Sequence, residues 1–133
     1  MSSSWAPGVS DLSQTYCKSF SANLAQAAAT YDIATASGGD ILMLDAVVYI
    51  SVAAADLVSV SVQTNDTTAV TIMSAAEGAV ANLTGGKNAK VFATATVLAS
   101  TKKLQFTIVG TGTAGTMKVV VQYRKTAAGA DLV

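Results

Sequence analysis

The chain has no histidine, one cysteine and one proline among its 133 residues, and only 12% of them are charged and 6% aromatic. Each shortage removes a class of chemistry. Histidine is the side chain whose ordinary pKa lies near neutrality, so its absence removes the commonest general acid or base and the commonest metal ligand. Cys17 stands alone, so it closes no disulfide within the chain, and no CxxC or Cys/His zinc set can be drawn. A catalytic thiol needs an activating partner, and the sequence supplies none, so Cys17 reads as a small hydrophobe. It defines no redox compartment.

Charge of either sign is scarce and balanced, eight Lys or Arg against eight Asp or Glu. Such a chain exerts no long-range attraction on nucleic acid or anionic lipid. Its basic pairs, Lys102-Lys103 and Arg124-Lys125, are too short for a phosphate-binding stripe. The most apolar stretch, Ile41 to Ala55, is interrupted by Asp45 and is shorter than the ~20 residues of a membrane-spanning helix. The opening residues lack both a basic region and an apolar core, so they do not read as a secretory signal. The expectation is a non-enzymatic chain with no cofactor, no metal, no direct nucleic-acid partner and no membrane partner.

What the sequence does hold is alanine, valine and threonine, with 25, 16 and 16 residues. Valine and threonine suit a pleated surface. From Tyr31 onward the pattern is strand and turn. Strands are expected at Tyr31–Ala36, Ile41–Ala53, Leu57–Thr64, Thr68–Met73, Ala89–Ala99, Lys103–Val109 and Thr116–Lys125. In the second of these, Leu42, Leu44, Ala46, Val48, Ile50 and Val52 alternate on one face. Both of its faces are apolar near the start, which points to a central strand buried on both sides. Val58, Val60 and Val62 are expected inward, as are Leu104, Phe106 and Ile108, and Met117, Val119, Val121 and Tyr123. Ser74 to Leu83 fits a single helical turn or an irregular edge.

No helix is long enough for a βαβ crossover, so the expected fold is all-β: an antiparallel, jelly-roll-like β-sandwich of about eight strands with an N-terminal arm. The expected organisation is an extended arm over residues 1–21 and a sandwich over 22–133. Ala22 to Thr30 has the only helical propensity, and reads as a short helix or a turn. Abundant alanine at inward positions implies a close approach of the layers and a modest hydrophobic gain. Such a domain gains from being completed by neighbours.

Candidate sites are few. Asp32, Asp40 and Asp45 could hold a cation or work as paired carboxylates, but no spacing matches a calcium loop. Turn capping for Asp40, and pairing at an interface or with backbone N–H groups for Asp45, explain them more simply. Gly110 to Gly115 spells GxGxxG, yet a strand pattern follows it where a dinucleotide fingerprint needs a helix, so it reads as a hairpin loop. Asn82-Leu83-Thr84 is a glycosylation sequon in letters only. Ser/Thr-rich outer faces could bind sugar, although Tyr49 and Phe92 are the only strand aromatics outside the assigned core face. Trp5, Tyr16 and Phe20 in the arm are costly to leave in water. Trp5, Tyr16, Phe20, Tyr49 and Phe92 are therefore the candidate interface residues.

The stretches YDIATASGGDILMLDAVVYISVAAADLVSVSVQTNDTT, LTGGKNAKVF, KLQFTIVGTGTAGTMKVVVQYR and AGADL resemble small structural proteins of tailed bacteriophages. The resemblance covers about residues 31–133 and rests on turn and strand patterns. It implies a virion component on the capsid surface, assembled in the host cytoplasm, with a head decoration or cement protein as the first reading. Its partners would be the major capsid protein and further copies of itself, a trimer being favoured. A tail, head-completion or fibre-base protein is the first alternative, and a carbohydrate-binding β-sandwich module on the virion surface the second.

Overall fold

A computed structural model describes residues 14–133. Its strands are β1 (Tyr16–Asn23), β2 (Thr30–Ser37), β3 (Ile41–Ala55), β4 (Ser59–Thr64), β5 (Thr71–Met73), β6 (Lys87–Phe92), β7 (Thr96–Leu98), β8 (Lys103–Val109), β9 (Ala114–Lys125) and β10 (Asp131–Leu132). They form two five-stranded sheets. The first runs β1-β9-β3-β6, with β7 also on β3, and the second runs β10-β2-β8-β4-β5. Every pairing is antiparallel.

The chain changes sheet at almost every connection. With β6 and β7 taken as two parts of one interrupted strand, this is an eight-stranded jelly roll of two Greek keys. The short β10 extends the second sheet beside β2.

The core lies between the sheets, where Met117, Val119, Val121 and Tyr123 of β9 face Leu104, Phe106 and Ile108 of β8. Strict alternation put these seven residues inward in the sequence, and all are buried. Ala22, Ala34, Ala36, Ala46 and Ala130 are buried too, so small side chains do occupy inward positions.

Several expectations are corrected. Residues 16–21 belong to β1, which pairs along its whole length with β9, so the expected boundary between residues 21 and 22 falls inside a strand. Residues 1–13, with Trp5, lie outside the described residues. Of the two readings of Ala22–Thr30, a short helix or a turn, the chain takes the second, with bends at 25–26 and 28–29 and no helix. There Leu24 is fully buried and donates its N–H to the Gly115 carbonyl, while Ile108 donates to Ala29. Those long-range bonds outcompete a nine-residue helix, which is marginal on its own.

In β3 the register against β9 shifts between Met43 and Asp45, leaving Leu44 as an extra residue. This bulge moves the core face to Ile41, Met43, Ala46, Val48 and Ile50. Leu42 and Leu44 are thereby displaced from the face that alternation gave them, and Val52 leaves it at a second register shift, between Ile50 and Val52. Val58 lies before β4 and is 61% exposed, and Thr64 takes the inward place at the strand's other end.

The single strand expected over 89–99 is split, with Ala93, Thr94 and Ala95 unpaired between β6 and β7. Ala75–Gly78 forms a turn closed reciprocally, the Glu77 N–H donating to Ser74 Oγ and the Ser74 N–H to Glu77 Oε1.

Gly110 to Gly115 is not a hairpin. It carries the chain from β8 in the second sheet to β9 in the first. Gly112 makes the crossing possible, because a Cβ there would lie 1.9 Å from the Leu24 carbonyl oxygen. Its N–H donates to the Gln26 carbonyl at 2.9 Å.

Candidate functional site

Two places concentrate polar chemistry or exposed apolar surface. The first is the corner where β1, β9 and β10 meet. Lys18 projects from β1 and donates to Asp131 Oδ2 at 3.1 Å and to the Leu132 carbonyl at 2.8 Å. The Tyr123 hydroxyl donates to Asp131 Oδ1 at 2.7 Å. Burial alone would raise the Asp131 pKa, but the bonds from Tyr123, Lys18 and the Leu132 N–H outweigh it and hold the carboxyl below its ordinary range. Desolvation, together with the adjacent carboxylate, pushes the Tyr123 phenol well above its ordinary value. Tyr16 stacks on Tyr123 with ring centroids 5.7 Å apart, and Lys125 Nζ sits 4.6 Å over the Tyr16 ring. The corner ties the two sheets together at their open edge.

The second place is the outer face of the first sheet. Registers place Val120, Val47 and Val91 in one row across β9, β3 and β6. One row away lie Lys118, Tyr49 and Asn88, and on the other side Gln122 and Asp45. Beyond them Arg124, Leu42 and Val97 continue the face. Val91 is 57% and Val97 53% exposed, and Leu42, Val47, Tyr49 and Val120 are half-buried. The side chain of Asp45, also half-buried, has no hydrogen-bond or ion-pair partner among the described residues, and neither have those of Lys118 and Arg124.

The structure does not gather the five expected interface residues. Trp5 is outside the described residues. Phe20 and Phe92 are half-buried and packed against the core from β1 and β6, and Tyr16 belongs to the corner. Tyr49 alone lies on the outer sheet face. The valines and leucines around it were missed as a site. Their signal was the apolar second face of β3, which reads equally well as burial within the domain.

The carboxylates are also dispersed. Asp32 accepts from Lys103 Nζ at 2.7 Å and Gln105 Nε2 at 2.8 Å, which hold its pKa down. Asp40 accepts from the Ser100 N–H at 2.8 Å, the turn role expected of it. A shallow polar depression lined by Glu77, Asn82, Thr84, Lys87 and Asn88 contains one carboxylate, Glu77. That group is held below its ordinary value by its bond to Lys90 and the Ser74 N–H. No group of three or more His, Cys, Asp or Glu that could hold a metal occurs among the described residues. No helix among them is long and apolar enough to cross a membrane.

No family model matches the chain, and no curated protein matches it. Among solved structures it is similar to the infectious bursal disease virus VP2 subviral particle, at 14% identity and a TM-score of 0.36. It is also similar to the structure of the infectious bursal disease virus Gt strain, at 14% identity and a TM-score of 0.31. Each likeness covers 90% of this chain and 39% of the other, so this chain spans well under half the length of those proteins.

Proposed function

We propose that the protein is a virion structural component, a decoration or cement protein that binds an assembled capsid and braces it by bridging neighbouring subunits. The observation that carries this reading is the apolar outer sheet face on a charge-poor jelly roll. Such a domain exposes surface suited to burial, and shows no constellation suited to catalysis among its described residues. Contacts made only with the assembled shell stabilise that shell by linkage, and many copies convert weak contacts into avidity. In this reading residues 1–13, with Trp5, form the segment that reaches the neighbouring capsid subunit.

The test is co-sedimentation with capsid shells that lack this protein, using the full chain and a version beginning at residue 14. The truncation has to stop there because β1 starts at Tyr16. The full chain is expected to bind to saturation and raise the shell's melting temperature. The shortened chain is expected to keep its fold and lose binding. Failure of the full chain to bind would overturn the decoration role, and equal binding by both would overturn the role of residues 1–13. A copy number far below one per capsid subunit in the particle would favour a tail, head-completion or fibre-base position.

A further inference from the structure

We propose that the outer face of the first sheet is a self-association surface, occupied by the same face of a second copy about a two-fold axis. The charges on this face set the pairing. Asp45 lies on one side of the Val120–Val47–Val91 row and Lys118 on the other, each beside that row in the registers of β3 and β9. None of the side chains of Asp45, Lys118 and Arg124 has a partner among the described residues. A half-buried carboxylate on an apolar face is costly unless something pairs with it.

Two such faces stacked at ~10 Å can be related by an in-plane axis along the valine row. Each valine then meets its own counterpart. The Asp45 row of one copy lies over the row of the partner copy that contains Lys118 and Tyr49, a cation and a hydroxyl. The contact is isologous, so the same pairing occurs twice. An axis parallel to the strands would instead bring the Asp45 rows together and the Lys118 rows together, which like-charge repulsion disfavours. The charge pattern thus selects the axis as well as the partner. The resulting unit is a dimer, where the phage resemblance favours a trimer.

Sedimentation equilibrium of the purified full chain tests this without shells, so its outcome is separate from that of the shell-binding experiment. The wild-type chain is expected to be a dimer. Val47→Asp with Val120→Asp should weaken it by on the order of 100-fold or more, with an unchanged circular dichroism spectrum because both side chains point away from the core. Asp45→Lys and Lys118→Asp should each weaken the dimer, and the double exchange should restore it to within about tenfold of wild type. A monomer or trimer, a dimer insensitive to the valine substitutions, or a double exchange without rescue would each overturn the proposal. So would a chain beginning at residue 14 that dimerises where the full chain does not, since residues 1–13 would then be the occupant.

Discussion

Thr101 has φ of +72°, a conformation in which a β-branched residue is strained by about 1–3 kcal/mol. It stands in the turn that carries the chain from β7 to β8, and donates its N–H to the Ala36 carbonyl at 2.7 Å. Thr101→Gly removes the strain but adds roughly 0.5–1 kcal/mol of unfolded-state freedom. A net stabilisation of about 1 kcal/mol is expected, read as a higher melting midpoint.

The corner residues give the pH dependence. Asp131 has a lowered pKa relative to its ordinary 3.8, so its contribution is present above that value and is lost as pH falls below it. Tyr123 has a raised pKa relative to its ordinary 10.0, so its contribution is present below pH 10 and is lost as pH rises above it. The Tyr123 phenol should therefore ionise, as read by its ultraviolet signal, only with alkaline unfolding. Asp131→Ala leaves the buried Tyr123 hydroxyl without its acceptor and should cost about 1–3 kcal/mol in a denaturant titration.

At the scale of elements, the bulge in β3 explains both a misread face and a tolerance. Removing Leu44 leaves Ile41, Met43, Ala46, Val48 and Ile50 in strict alternation, all inward. The deletion is expected to give a folded domain by circular dichroism. Deleting Val47 instead turns Val48 and Ile50 outward and should unfold it.

Local pattern carries part of this fold and not the rest. Strands β8 and β9 were legible near their observed ends because their alternation is uninterrupted. The bulge at Leu44 was not legible, since one extra apolar residue leaves no mark in an already apolar run. The sheet change at Gly110–Gly115 was equally hidden, because a glycine loop between two alternating strands looks the same whether they pair or part. The strand β1 was obscured by the serines on its outer side and by Lys18, which turns inward only because β10 offers it Asp131. Of the outer-face site, sequence singled out Tyr49. Its neighbours became a surface only when registers set Val120, Val47 and Val91 side by side.

For the whole molecule, zero net charge has a measurable consequence. Association driven by apolar burial and short-range pairs should change little in affinity between about 0.1 and 0.5 M salt, because long-range fields contribute little to it. A steep fall in self-association or shell binding over that range, followed by sedimentation, would point to a charged partner surface.

The pinned corner sets a schedule for synthesis. Lys18 bonds a residue 113 positions further along the chain, and among the described residues β1 has its strand partner only in β9. At ribosomal rates of roughly 5–20 residues per second, β1 waits on the order of 10 s for that partner to be made. Throughout that interval Tyr16, Phe20 and an unpaired strand edge stand open to water and to other nascent chains. The earliest of the described strands to be translated is among the last to be secured, so crowding on the polysome is when this fold is most exposed to mispairing.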